Sequence, residues 1–345
     1  MAGNDISALL AAARGERVQG PLDAATLDAA ASARMLGLLA RAAVDPPREL
    51  QLHAVAIESR ALSLLGELAR IAAAFRDAGI PLLALKGPVA SQQLYGDPGV
   101  RVFADLDMIV DVHDVGRGEA LLATLGYVDE EPMTPAQRAT KHRFHNGTAF
   151  RNAERATTVD FHWRFGHVQF PLALPFADAW RRRTNVLGMP ALGPTDLAIF
   201  TCSHSAKHFW TPLEMLAQIA ALTRLEVDWQ EVDRVAARAR AARQVGLSFL
   251  VAHEVVGSDL PPLPRCLAAS EPVFARLQQR LERPHDVDPR GRDLFTILDR
   301  RRDAIAAAMA SVFVPTHTDW AAAKLPHALY WVLRPFRLAA ARLRR

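Results

Sequence analysis

Apolar residues recur at two spacings along the chain, and the change of spacing divides it into three parts. From 48 to 78 they recur at helical spacing without a proline, within an Ala- and Leu-rich stretch from 1 to 78, which predicts a helical N-terminal cap. Between 79 and 193, strand-like apolar runs alternate with shorter helical segments, which predicts a mixed sheet with flanking helices. From 194 to 345 the pattern is helical again. The predicted fold class is therefore α+β, with a helical C-terminal domain.

Boundaries of the predicted elements follow from apolar runs and from the positions of Gly and Pro. Strands are predicted at 82–85, 106–110, 143–151, 157–165 and 182–187. Helices are predicted at 48–78, 112–125 and 195–209. The polar stretch from Glu282 to Asp293 is predicted to be a linker.

Two aspartates stand at the entrance of the strand predicted at 106–110. A spacing of two puts the carboxylates of Asp105 and Asp107 on one face, a few ångströms apart. Two like charges this close need a cation, and hard oxygen ligands suit Mg²⁺. Most Asp-x-Asp pairs are solvated loop residues, so the context decides. A third acid, Asp160, lies in an alternating apolar run, where an unpaired charge is costly. Three acids converging on metal is the simplest interpretation.

A glycine turn follows the first predicted strand. The apolar run at 80–85 is followed by Lys86, Gly87 and Pro88, and then by residues that favour a helix. Such a turn offers backbone N–H groups to an anion, and the helix dipole favours phosphate. Pro88 suits the first helical position, although it removes one donor. The turn is therefore a predicted phosphate site.

Four separated motifs carry a resemblance to a known family: Leu85-Lys-Gly87, the run 94–110, Val-Asp-Phe-His-Trp at 159–163, and the run 192–210. In this order they resemble the uncharacterised bacterial nucleotidyltransferase family of the polymerase-β-like superfamily, over about residues 50–255. The resemblance implies a polymerase-β-like core in which a glycine turn holds a nucleoside triphosphate and three carboxylates bind two divalent metals. Carried over, these are Gly87, Asp105, Asp107 and Asp160. Unlike the wider superfamily, this chain has Gly-Pro at the turn, so how the outer phosphates are held stays open.

The implied reaction moves a nucleoside monophosphate from a triphosphate, expected to be ATP, to a hydroxyl or phosphate of a small molecule or peptide, and releases pyrophosphate. Two Mg²⁺ ions ~3.5–4 Å apart stabilise the charge on the entering and leaving oxygens. Asp105 and Asp107 are expected to bridge both ions, and Asp160 to complete the ion nearer the acceptor. Members of the resembling family often look like accessories to biosynthetic clusters, so a natural product or a precursor peptide fits as the acceptor.

Lys86, Ser91 and Arg101 are predicted to contact the nucleotide near the turn and the acids. Lys86 and Arg101 would neutralise phosphate charge. The alternatives are a solvated turn residue for Lys86 and a surface ion pair for Arg101.

Two histidines four residues apart are predicted on one face of the helix at 195–209, with Lys207 beside them. The spacing of His204 and His208 also suits zinc, but zinc needs a third ligand, and the Glu of a His-Glu-x-x-His motif is absent. The resemblance instead predicts that His204, Lys207 or His208 faces the nucleotide or the acceptor, with structural packing as the alternative. His162 shares a strand face with Asp160 and is expected to orient a ligand or the acceptor.

The composition of this 345-residue chain limits its possible binding partners and its cellular compartment. The 41 basic and 37 acidic side chains leave a net charge of +4, which is too small to indicate nucleic-acid binding by itself. Two cysteines, Cys202 and Cys266, are too few for a disulfide framework or a four-cysteine zinc site. There is no basic leader and no apolar stretch of ~18–20 residues. A cytoplasmic enzyme is predicted.

The last segment, Asp319 to Arg345, carries apolar residues at helical spacing and arginines at 334, 337, 342, 344 and 345. This basic amphipathic end is predicted either to contact a membrane surface or a partner, or to pack on its own domain.

Two other functions stay open from the sequence. One is a nucleotide-binding or scaffold protein whose catalytic domain has decayed, against which the three carboxylates argue. The other is a kinase, which is disfavoured because the chain has neither a Walker A run nor a Gly-rich kinase loop.

Overall fold

The computed structural model describes residues 3–281, 293–322 and 324–343 of the chain. Four helices precede the sheet: α1 (Gly3–Arg14), α2 (Ala24–Ser32), α3 (Leu36–Ala42) and α4 (Arg48–Asp77). Helix α4 matches the helix predicted at 48–78, because its apolar residues recur every three or four positions and bury one side.

Seven strands make up one mixed sheet: β1 (Leu82–Ala84), β2 (Leu106–Val110), β3 (Val128–Asp129), β4 (Gly147–Asn152), β5 (Thr157–His162), β6 (Thr184–Val186) and β7 (Met189–Ala191). The helices between them are α5 (Gly87–Tyr95), α6 (Val115–Thr124), α7 (Pro135–Phe144) and α8 (Phe176–Arg181), with a short 3-10 helix at Val112–Asp114. The strand order is β3-β4-β5-β2-β1-β7-β6. The β2–β5 and β1–β7 pairs are parallel, and the other neighbours are antiparallel.

Some predicted boundaries were wrong. The strand predicted at 143–151 begins only at Gly147, because a capping box between Thr134 and Gln137 starts helix α7, which runs to Phe144. The strand predicted at 157–165 ends at His162. The one predicted at 182–187 is the first arm of the β6–β7 hairpin, whose second arm was not predicted, and neither was β3.

Helices dominate the chain after the sheet: α9 (Pro194–Lys207), α10 (Leu213–Leu222), α11 (Trp229–Arg238), α12 (Ala242–Val256), α13 (Pro264–Leu281), α14 (Arg301–Phe313), α15 (His317–Ala322) and α16 (His327–Leu343). The helix predicted at 195–209 ends at Lys207, since Phe209 and Trp210 have left-handed backbone angles (φ 51° and 54°) that a helix cannot continue. Of the predicted linker, 282–292 lies outside the described residues, and Asp293 begins a 3-10 helix (Asp293–Ile297).

The sheet separates two apolar cores. Leu106, Met108 and Val110 of β2 belong to the core that includes residues of α4 and α6. Ile109 belongs to the other core, which joins the first three helices to α9–α13. Because strand side chains alternate between faces, Asp107 lies on the same face of β2 as Ile109. The predicted α+β class, a mixed sheet flanked by helices at both ends of the chain, is confirmed. None of the described helices is long and apolar enough to cross a membrane.

Candidate active site

Two neighbouring strands put Asp107 and Asp160 side by side. Strands β2 and β5 run parallel, and Asp107 is the register partner of Asp160. Asp105 lies directly before β2 and is close enough for the charges of Asp107 and Asp160 to act on its carboxylate. The structure therefore brings together the three acids that the sequence predicted to converge, on the sheet face opposite the α4 core.

Two cations already contact these acids. The Lys86 Nζ atom lies 2.7 Å from Asp107 Oδ1. The His162 Nε2 atom lies 3.2 Å from the same Asp107 oxygen and 3.1 Å from Asp160 Oδ2. His162 thus bridges the two strand carboxylates. From the sequence it was expected only to orient a ligand or the acceptor.

Strand β4 makes room for the His162 ring. Gly147 pairs with His162 across the β4–β5 ladder, and a Cβ at position 147 would lie 2.8 Å from His162 Nδ1, which is closer than real Cβ contacts allow. The Asn146 side-chain amide lies 3.2 Å from the same Nδ1 atom. Position 147 therefore needs glycine for space, and Asn146 fixes the ring that joins the acids.

The acids differ in how their surroundings shift their pKa values. Burial raises the pKa of Asp107, but the charges of Lys86 and His162 outweigh it and hold this pKa well below its usual range. Burial also opposes ionisation of Asp160, whose pKa is lowered by the His162 charge. The pKa of Asp105 is raised, first by burial and then by the Asp107 charge. Burial lowers the pKa of His162, but Asp160 and Asp107 together raise it to about 9.

The donor atoms fit a divalent cation. One ligand atom each from Asp107, Asp160 and His162 lies within 4.8 Å of the other two. Mg²⁺ holds its ligands at ~2.0–2.1 Å, and the His162 Nε2 atom, which donates to both carboxylates, would have to lose its proton before it could bind a metal. Carboxylate oxygens are the ligands that Mg²⁺ prefers. The carboxylate of Asp105 is close enough for the charges of Asp107, Lys86 and Asp160 to act on it.

A cavity of about 220 Å³ opens beside the acids, between the sheet and helix α9. The sheet side contributes Lys86, Asp160 and His162, and the α9 side contributes His204 and Lys207. The other lining residues are Asn146, Phe165, Gly166, His167, Phe170, Phe200, Ser203 and His208. Five of the residues that the sequence predicted for metal or nucleotide contact therefore line one cavity: Lys86, Asp160, His204, Lys207 and His208.

The surroundings of the two histidines on the α9 side favour their neutral form. Burial and the Lys86 charge hold the pKa of His204 well below its usual value, and burial and the Lys207 charge lower that of His208. Their ring centroids are 4.8 Å apart. Among the described residues, neither belongs to a group of three metal-ligating side chains. The Lys207 side chain is exposed at the cavity. Partial desolvation by the surrounding protein and the charge of Lys86 lower its pKa.

Gly87 occupies the turn between β1 and α5. Its backbone is left-handed (φ 73°), a conformation that L side chains rarely adopt, while the space around its Cα is open. Glycine is therefore needed here for the backbone angle, whereas the first residues of α5, from Gly87 to Ser91, are buried.

Ser91 and Arg101 are engaged elsewhere. Ser91 is fully buried, and its hydroxyl donates to the Asp97 carbonyl at 2.8 Å. Arg101 forms a hydrogen-bonded ion pair with Glu214 of α10 and lies over the Phe103 ring. Neither side chain lines the cavity. In this structure they hold the segment between α5 and β2, and they do not contact the acids.

One part of the cavity wall, the loop that carries His167, was not predicted from the sequence. His167 Nε2 lies 3.3 Å from His145 Nδ1, and His145 Nε2 lies 3.2 Å from the Pro315 carbonyl. Burial lowers the pKa of His167 to about 4 and lowers that of His145 as well. Hydrogen bonds through neutral rings thus tie the loop after β5 to the chain before α15. No local pattern links residues so far apart in the sequence.

The residues that build this site fall within one family match. The model of the family described as "Uncharacterised nucleotidyltransferase" matches residues 2–257. The chain belongs to this nucleotidyltransferase family. The resemblance predicted from the four motifs is thereby confirmed, and the protein is a nucleotidyltransferase. The match includes β1 to β7 and α9, hence every residue of the cavity, and ends before α13.

Two solved structures of the antibiotic-resistance factor ANT(2'')-Ia are similar to this nucleotidyltransferase. The first, a solution structure, is 15% identical over 56% of this chain and 98% of its own, with a TM-score of 0.35. The second, a crystal structure in complex with adenylyl-2''-tobramycin, is 15% identical over 51% of this chain and 95% of its own, also with a TM-score of 0.35. The comparison with curated proteins found no match.

Proposed function

We propose that this protein transfers a nucleoside monophosphate from a nucleoside triphosphate, most simply ATP, to a hydroxyl or phosphate of a small molecule or peptide in a Mg²⁺-dependent reaction. The observation that carries the proposal is the register of Asp107 with Asp160 on parallel strands, with Asp105 beside them and a cavity in front. The proposed catalytic part is 79–193, with helical parts at 1–78 and 194–345. The site is proposed to be shared, because α9 supplies one wall of the cavity.

Asp105, Asp107 and Asp160 are the proposed metal ligands. When bound, divalent cations would stabilise the charge on the entering and leaving oxygens. The side chain of Asp160 is 36% exposed against 5% for Asp107. Asp160 is therefore the acid that an acceptor can reach, and we assign it the orientation of the acceptor hydroxyl and the removal of its proton.

Lys86, Lys207 and the start of α5 at Gly87 are the proposed phosphate contacts. Both lysines line the cavity, and ammonium groups bind phosphate as point charges. Because the surroundings of His204 and His208 favour their neutral form, we assign them hydrogen bonds to nucleotide or acceptor. Ser91 and Arg101 are given no nucleotide contact here, since their polar groups are engaged in the interior.

Titration calorimetry with ATP and the other nucleoside triphosphates, with and without Mg²⁺, tests the proposal without knowledge of the acceptor. Wild-type protein should bind one triphosphate only when Mg²⁺ is present. Asp107→Asn and Asp160→Asn should weaken this binding at least tenfold, because each removes a charged metal ligand. Asp129→Asn, a carboxylate on edge strand β3 that pairs with Arg138, is the matched control and should bind as wild type does.

Product analysis separates the other functions. Incubation with labelled triphosphate and a cell extract should release pyrophosphate. Nucleoside diphosphate as the product would indicate a kinase. Metal-dependent binding without any product in the presence of acceptors would indicate the decayed, nucleotide-binding protein. Binding that is unchanged in both active-site variants would exclude the proposed site.

A further inference from the structure

Two helices outside the family match expose large apolar side chains. On α14 these are Ile305, Met309, Val312 and Phe313, which are 38–58% exposed. On α16 they are Leu329, Val332, Leu333 and Phe336, which are 43–69% exposed. In each set the spacings of three, four and seven place the residues on a single stripe of the helix. We call these eight residues the C-terminal apolar surface.

The fold does not use this surface for its own packing. Helix α16 is held by its other face, where the buried Arg334 donates to the Ser311 carbonyl of α14 at 3.0 Å. Trp331 packs edge-on against Phe144 of α7, with ring centroids 5.2 Å apart. The buried side of α14 consists of small residues, Ala307 and Ala310. An apolar surface that remains exposed after both helices are packed indicates a site of interaction.

Among the described side chains of residues 301–341, the exposed charged ones are basic. Only two acids occur between 301 and 345, and both are used internally. The Asp319 side chain is 3% exposed and pairs with Arg334 and Arg337, while that of Asp303 is 12% exposed and pairs with Arg240. Arg301, Arg302 and Lys324 are exposed beside the two helices. The arginines at 342, 344 and 345 add charge in the sequence, but their side chains lie outside the described residues.

We propose that the C-terminal apolar surface docks in the plane of an anionic lipid membrane. The two apolar stripes would contact lipid chains, and the basic residues that flank them would contact acidic headgroups, because the described residues of these helices expose no acid of their own. A second copy of the chain would instead bring arginine against arginine, which opposes self-association. The proposal goes beyond nucleotidyl transfer and does not depend on it, because it rests on α14 and α16 alone. The helices lie on the membrane and do not cross it.

Vesicle flotation of the full-length protein tests the proposal. Wild type should float with phosphatidylcholine vesicles that contain phosphatidylserine, should float less at high salt, and should not float with phosphatidylcholine alone. Val332→Glu and Met309→Glu should each weaken binding roughly tenfold, because each removes apolar contact and adds a like charge to the anionic surface. Arg301→Gln should weaken it roughly fivefold.

Val55→Glu on α4 is the matched control, since Val55 is 63% exposed on a helix and Val332 is 60% exposed. It should float as wild type does. Circular dichroism melting of each variant excludes unfolding as the cause. Equal flotation of Val332→Glu and Val55→Glu would overturn the proposal, as would the failure of wild type to bind phosphatidylserine vesicles. Light scattering that shows a wild-type dimer and a Val332→Glu monomer would assign the surface to a second copy.

Discussion

Two buried charge clusters lie on opposite faces of the same sheet. One is the proposed active-site cluster, with Asp105, Asp107 and Asp160 against Lys86 and His162. The other surrounds Glu67 of α4, whose carboxylate accepts two hydrogen bonds from Arg70 at 2.6 and 3.0 Å and one from the Tyr127 hydroxyl at 2.7 Å. Arg155 adds a contact at 3.2 Å. Both clusters remove carboxylates from water and shift their pKa values.

The difference lies in charge balance and space. Around Glu67 a single carboxylate meets two guanidinium groups and a phenol, so its acceptor capacity is filled. In the active-site cluster three carboxylates meet two cations, and the cavity leaves Asp160 36% exposed. A perturbed pKa is thus common to a structural and a functional cluster. Surplus negative charge beside open space is what distinguishes the site.

The largest expected difference between the clusters is in activity. Asp107→Asn should lower the rate of pyrophosphate release roughly 10³-fold, because it removes one proposed metal ligand from a group that would act as a unit. Glu67→Gln should leave the rate per folded molecule within about twofold, since Glu67 lies across the sheet. The measurement is pyrophosphate release under saturating Mg²⁺ and triphosphate.

The double variant Asp107→Asn/Asp160→Asn sharpens this test. It should lose little beyond either single variant, as expected for ligands of one site. Losses that multiply would mean that the two acids act independently.

The next difference is in the pH dependence of stability. The folded-state pKa of His162 is about 9, above its usual 6.5, so the protonated ring stabilises the folded protein below about pH 6.5. This contribution should be lost as pH rises through 9, which lowers the free energy of unfolding by about 2–3 kcal/mol. Urea unfolding in a metal-chelating buffer at several pH values measures it.

His162→Gln should remove most of that alkaline loss. The Glu67 cluster should behave in the opposite way, because the pKa of Glu67 is held below its usual value, so its contribution is lost only as pH falls in the acid range. An alkaline slope that persists in His162→Gln would contradict the bridging role of the imidazolium.

A smaller effect is expected on stability at neutral pH. Glu67→Gln should lower the free energy of unfolding by about 2 kcal/mol, because it weakens charge-assisted hydrogen bonds in the interior. Asp105→Asn should raise it, since the raised pKa of Asp105 shows that the fold disfavours its charge. Urea unfolding of both variants without metal provides the comparison, and a loss of stability in Asp105→Asn would reverse the assignment of surplus charge.

The smallest effect concerns the rim of the cavity. Lys207→Gln should weaken Mg²⁺-dependent triphosphate binding roughly fivefold, because an exposed ammonium contributes modestly to a charge pair. Lys324→Gln, an exposed lysine that does not line the cavity, is the control. Calorimetry that gives equal affinities for the two variants would remove Lys207 from the phosphate contacts.

Local pattern was sufficient where an element has a strong period or a distinct boundary. Strand β2 has the predicted bounds, because its five consecutive residues, among them Asp107, are all buried. Helix α4 ends within one residue of its prediction. Strands β3 and β7 were missed because two or three residues show no period, and helix α7, which a capping box starts, was not predicted.

The sequence by itself predicted the three acids and the glycine turn and determined the family, since each motif is a short run of residues and the motifs keep their order along the chain. Only the tertiary structure decided which cations meet those acids. Pairing of β2 with β5 and of β5 with β4 placed His162 between Asp107 and Asp160. The packing of α10 brings Glu214 to Arg101, although the two residues are 113 positions apart in the chain. The ion pair between them keeps the Arg101 side chain away from the acids. Such contacts depend on strand order and helix packing, and neither can be predicted from the spacing of residues that are close together in the sequence.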